Sequence, residues 1–177
     1  MQEVKTQKKT VKVHNFQESL AKGQKAEAEW IRLFNETHPG YTISRADGRG
    51  HDFVVHSPLG EFTLELKVDS YSMLKTENLF MERYSVFEKL SLGGPWQAQS
   101  KSVDLFCYYF STEQVMLTFN TNKLVTALDS MQLNEKKLVP IFNRGYTTKG
   151  WKVPRKDLYE KGIITYCHLN PAFISLR

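Results

Sequence analysis

Asp52, Glu65 and Lys67 are the residues of this chain whose types and spacing could do chemistry; they lie in the stretch DGRGHDFVVHSPLGEFTLELK, Asp47 to Lys67. Two carboxylates on one surface with a lysine beside them form a seat for a hard divalent cation, because ions such as Mg²⁺ prefer carboxylate oxygens. A cation held there lowers the pKa of bound water and clamps phosphoryl oxygens. A fixed positive charge then stabilises negative charge as it develops. The chemistry that fits is metal-assisted hydrolysis of a phosphodiester.

A hairpin must position these groups. Ser57-Pro58-Leu59-Gly60 carries Ser at i, Pro at i+1 and Gly at i+3 of a type I turn. The flanking segments, Asp52 to His56 and Glu61 to Val68, are rich in β-branched and aromatic residues and predict strands. A symmetric turn pairs 57 with 60, 56 with 61, 54 with 63 and 52 with 65, so Asp52 faces Glu65 with Cβ atoms ~5 Å apart. Lys67 projects from the same face. Phe53, Val55, Phe62, Leu64, Leu66 and Val68 form the opposite, core-facing surface. Directly opposed carboxylates destabilise a sheet, and a bound cation relieves them. A half-exposed hairpin whose polar face, with His56, Glu61 and Thr63, meets water has the same pattern. A one-residue bulge at the turn would break the 52:65 pairing.

Residues 16–36, FQESLAKGQKAEAEWIRLFNE, predict an amphipathic helix with an apolar stripe of Phe16, Leu20, Ile31 and Phe34. Glu27 falls inside that stripe and Glu29 well away from it. Gly23, one turn earlier, would let another backbone approach closely. A glutamate on a core-facing stripe is costly unless it is paired or binds a metal. The alternative to a metal is that the helix rotates slightly and Glu27 snorkels or pairs with Lys67 or Arg45.

Gly23-x-x-x-Glu27 on a helix, then Asp52, then Glu65-x-Lys67 resembles the PD-(D/E)XK nuclease superfamily, which includes restriction enzymes, archaeal-type Holliday junction resolvases and many phage nucleases. Thr76 to Glu82, Gly93 to Ala98 and Val103 to Tyr109 are similar to the block that follows the active site in phage-type members, so the resemblance spans residues 19–110. His51 stands where the family often has a proline. The resemblance implies an α/β restriction-endonuclease-like fold, a central mixed β-sheet flanked by helices. It implies an endonuclease acting on DNA with Mg²⁺, for which Mn²⁺ can substitute, working as a homodimer. In the roles it implies, Asp52 and Glu65 ligate the metal with the Leu66 backbone carbonyl, Glu27 completes the shell directly or through water, and Lys67 positions or helps deprotonate the attacking water. The Gly-x-x-x-Glu helix is most similar to the resolvase branch, so a structure-specific Holliday junction resolvase is an alternative. A non-catalytic nucleic-acid-binding module on the same fold is another.

Composition sets the bounds. The 177 residues suit one domain, residues 14–177, behind a basic arm, residues 1–13, that holds Lys5, Lys8, Lys9 and Lys12. A formal net charge of +5 and a pI near 9.1 suit an acidic polymer as partner. No stretch has the apolar length to cross a membrane, and the start MQEVKTQKKTVKV lacks the apolar segment of a secretory signal. Cys107 and Cys167 fit reduced core residues of a cytoplasmic protein, without zinc-ligand spacing. No Gly-x-x-x-x-Gly-Lys-Ser/Thr loop is present, so no nucleotide cofactor is expected. Candidate nucleic-acid contacts are Arg49, Lys75, Asn78, Arg83 and Trp96. Lys149 and Lys152 join them from the basic, aromatic tail Lys136 to Lys161, where Gly145 and Gly150 flank an expected loop. Strands are expected near 41–44, 103–110 and 114–119, a helix opened by Pro95 and another near 122–132, with 70–101 the least regular region.

Overall fold

The turn closes as its residue types dictate. The Ser57 hydroxyl donates to the Gly60 carbonyl at 2.8 Å and accepts from the Leu59 amide at 3.2 Å. Gly60 takes a φ of 129°, which costs a glycine little. In the computed structural model, which describes residues 16–46, 50–131 and 133–168, this turn joins β2 (Phe53–Ser57) to β3 (Gly60–Asp69). Their register pairs 57 with 60, 56 with 61, 54 with 63 and 53 with 64.

β1 (Thr42–Arg45) lies antiparallel on the outer edge of β2. On the inner side β6 (Leu105–Phe110) runs parallel to β3, and β7 (Val115–Asn120) and β10 (Ile164–His168) complete a mixed six-stranded sheet of order β1-β2-β3-β6-β7-β10. A parallel neighbour requires a crossover. That crossover carries β4 (Asn78–Val86), β5 (Ser91–Leu92) and α2 (Gly94–Ser100). With β8 (Val139–Asn143) and β9 (Tyr146–Pro154) these strands make a second, antiparallel sheet, β5-β4-β9-β8. The helices α1 (Phe16–Thr37), α3 (Thr121–Ser130) and α4 (Arg155–Glu160) complete an α/β architecture.

The large sheet buries both faces. On one, Phe53, Val55, Leu64, Cys107, Tyr109 and Met116 meet Trp30 and Phe34 of α1. The Trp30 indole N–H donates to the Met116 sulfur at 2.8 Å and fixes the rotation of the helix. On the other, Phe106, Tyr108, Phe110 and Phe119 meet Leu79, Met81, Trp151 and Val153 of the second sheet and Leu124 and Leu128 of α3. Each such side chain contributes about 1.5–3 kcal/mol by leaving water. The sum outweighs the cost of the few polar groups that the packing encloses. Burial pushes the Cys107 thiol up to about 12, against a lowering hydrogen bond from Thr118, so it behaves as a core residue.

Several expectations are corrected. The buried stripe of α1 is Ala26, Trp30 and Phe34, while Leu20 is exposed, because the Trp30–Met116 contact turns that side inward. Glu29 is not idle on the far side, since it accepts from the Gln114 side chain at 2.6 Å. Among the described residues nothing comes within 4 Å of where a Gly23 Cβ would stand, so none of their backbone approaches there. Residues 70–101 hold a nine-residue strand, β4, whose Leu79 and Met81 alternate inward. Gly150 belongs to the interior of β9 and not to a loop. A Cβ there would stand 2.5 Å from the Met81 carbonyl oxygen and 2.7 Å from the Phe80 ring. Among the described residues no helix is long and apolar enough to cross a membrane. The basic arm, residues 1–13, Arg49 and the Cys167 side chain lie outside the described residues.

Candidate active site

β2 stops one residue short of the expected 52:65 pair. The Asp52 amide donates at 3.1 Å to the Leu64 carbonyl, the residue already opposite Phe53. Asp52 and Phe53 therefore share one partner, the two-against-one count of a β-bulge. Beyond Leu64 the edge of β3 is left without β2, and the Asp52 side chain takes the strand's place: its Oδ2 accepts from the Leu66 amide at 2.8 Å. The Leu66 carbonyl lies on the same edge, since both backbone groups of a strand residue point one way. The facing pair of the simple hairpin is thus replaced by a carboxylate folded over an open strand edge.

Glu65 and Lys67 are only partly exposed, because the row they belong to is covered in part by a second sheet. In parallel register they sit beside Phe106 and Tyr108, and Asp69 beside Phe110, so this row of β3 looks toward the second sheet. Lys67 Nζ lies 3.3 Å from Glu82 Oε2 of β4. Two residues on, the Tyr108 hydroxyl donates to Asp69 at 2.6 Å and accepts from the Phe80 amide at 3.2 Å. Gly93 and Gly94 hold Glu82 in place. A Cβ on Gly93 would stand 2.6 Å from Glu82 Oε1 and 2.9 Å from the Ser85 amide nitrogen, and Gly94 has a φ of 45°.

The electrostatics follow from this enclosure. Burial, and then the field of Asp52, push Glu65 up to about 7; Lys101 pulls it down and Glu82 adds to the rise. Among the described residues Glu65 accepts no hydrogen bond. Burial also raises Asp52. The Leu66 amide opposes that rise, Glu27 adds to it, and Lys101 and Arg45 reduce it. Lys101, at the end of α2, and Glu82 were not anticipated from sequence. No local spacing signals them, since each reaches the site from a separate element.

Glu27 takes the alternative open to it, an ion pair with Arg45 at 2.8 Å. Among the described residues no three His, Cys, Asp or Glu side chains gather as a metal-holding group. What remains is the pair Asp52 and Glu65 with the Leu66 carbonyl, all hard oxygen donors. That set suits Mg²⁺, which keeps several waters and needs only one or two carboxylates.

The other sequence candidates separate. Lys75, Asn78 and Lys152 line one cavity. Arg83 lies 4.9 Å over the Trp96 ring and Lys149 3.3 Å over the Phe87 ring, so both rest on aromatic faces of the protein itself. Trp96 is no exposed stacking platform. It is buried, donates to Asp129 Oδ1 at 3.0 Å and packs on Trp151. Arg49 cannot be placed, being outside the described residues.

No family model matches the chain, and neither a curated protein nor a solved structure is significantly similar to it.

Proposed function

We propose that the chain is a metal-dependent endonuclease that hydrolyses DNA phosphodiester bonds on a restriction-endonuclease-like version of its α/β fold. The observation that carries this reading is Glu65, partly buried and, among the described residues, without a hydrogen-bond donor to its side chain, in the field of the Asp52 carboxylate and on the same strand face as Lys67. Two adjacent carboxylates half out of water oppose folding unless a cation joins them. A divalent cation bound there would supply a water of lowered pKa and charge neutralisation for the phosphate.

The chain's own residues have distinct tasks in this reading. The Leu66 amide orients Asp52 by holding one of its oxygens. Glu82 holds the Lys67 ammonium, which in this reading orients a water and faces the charge that develops on the phosphate. Arg45, tied to Glu27, and Lys101 offset the negative charge of the pair. DNA is the proposed partner because the chain carries +5 net charge. A homodimer follows if both strands of a duplex are cut.

The test is cleavage of a labelled four-way junction beside its matching linear duplex, with Mg²⁺ and with EDTA. Metal-dependent cutting of both substrates supports the proposal, and cutting of the junction alone assigns a resolvase. Retained binding without cutting of either overturns the enzyme and leaves a binding module.

A further inference from the structure

Two residues along their strands from Lys67 and Glu82, Asp69 and Phe80 line a cavity of about 620 Å³ with Tyr71, Lys75, Val139, Ile141 and Lys152 among its other walls. That volume lies within the ~300–1,000 Å³ of small-ligand sites. Its wall is held in shape. The Tyr71 amide donates to Asp69 at 2.7 Å. Glu113, only 3% exposed, accepts from the Ser72 hydroxyl and from the Met73 amide at 2.9 Å. Arg155 donates to the Met73 and Thr76 carbonyls at 3.1 and 2.8 Å. A buried carboxylate and an arginine thus fix one exposed loop, and that loop presents Tyr71, 60% exposed, and Lys75.

We propose that this cavity receives one unstacked nucleotide of the DNA strand beside the cleaved bond; the substrate class rests on the nuclease reading above. Phe80 and Glu82 share a face of β4 two residues apart, ~7 Å by strand rise. The cavity therefore opens along β4 from the Lys67–Glu82 pair. Tyr71 and Phe80 offer rings for a base. Lys75 and Lys152, both exposed and in no ion pair among the described residues, offer charge for the phosphates around it. Asp69 and Glu77 also line the cavity. Carboxylates repel phosphate and accept hydrogen bonds from base amino groups, so the base points inward and the phosphate stays at the rim. A base inside a duplex cannot present its flat face to a ring, which is why the nucleotide must leave the stack.

The experiment measures binding of the full chain, in EDTA so that nothing is cut, to a fluorescent blunt duplex and to the same duplex with a short single-stranded overhang. The overhang substrate is expected to bind at least about fivefold tighter, and Tyr71→Ala to lose about tenfold on it while leaving the blunt duplex unchanged. Lys152→Ala should weaken both and flatten the salt dependence. Melting temperatures of both variants should match the parent. Equal binding of the two DNAs, or an unaltered preference in Tyr71→Ala, overturns the inference. Cleavage with Mg²⁺ separates the two readings. Cutting that persists with no overhang preference removes the cavity alone, and an overhang preference without cutting of any DNA removes the nuclease alone.

Discussion

Glu65 and Glu113 are both carboxylates drawn out of water, and they differ in what surrounds them. Glu113 is nearly inaccessible and is met by a hydroxyl and an amide that both donate to it. Glu65 is less enclosed, meets no donor among the described residues and lies in the field of a second carboxylate. The first arrangement holds a loop. The second opposes folding, as a site does when it is shaped for something that arrives later.

The largest effect should come from Lys67→Ala, with cleavage slowed about 10²–10³-fold in single-turnover assays and no loss of fold. An equal rate would remove the charge beside Glu65 from the mechanism. Glu113→Ala should cost about 3 kcal/mol in urea unfolding, because two enclosed donors lose their acceptor. A loss no greater than that of a surface substitution would erase the contrast. Gly93→Ala forces a methyl group against Glu82 and the Ser85 amide and should cost about 1–3 kcal/mol. It should also reduce cleavage by displacing the partner of Lys67.

The smallest effect is the most specific. Glu65 has an ordinary value of 4.5 and is raised to about 7, so the folded state holds its proton more tightly than the unfolded chain does. The stability linked to it is complete below 4.5 and lost as pH rises to about 7. The metal-free protein should therefore melt a few degrees lower at pH 8 than at pH 5 relative to Glu65→Gln. Mg²⁺ should restore the difference only in the parent chain. Parallel melting profiles of the two proteins would deny Glu65 its strained state.

Local chemistry in the sequence predicted the hairpin, since Ser57, Pro58 and Gly60 dictate its turn and alternation dictates its faces. It predicted α1 and left Arg45 open as a partner for Glu27, which is the pair that forms. What escaped depends on elements meeting across the fold. The rotation of α1 is set by Met116, and the row of Glu65 and Lys67 is covered by β4. The strand character of β4 was hidden by Asn78, Glu82 and Arg83, whose polarity makes sense only when Lys67 and Trp96 are in place. Gly150 signals a loop to a reader of sequence because the Phe80 ring that takes the space of its missing side chain lies on another strand. The bulge at Asp52 likewise leaves no mark in the alternation, because it begins where the strand ends.

The Lys67–Glu82 contact joins the hairpin to a sheet whose strands β8 and β9 come from much later in the chain. The hairpin alone is therefore not portable. Moved onto another scaffold, it would carry Asp52 and Glu65 but leave the lysine unrestrained. Contacts of long sequence separation also form late in folding, so a chain emerging from synthesis assembles its candidate chemistry only after both sheets have docked. Any activity of this site is in effect switched on by completion of the fold.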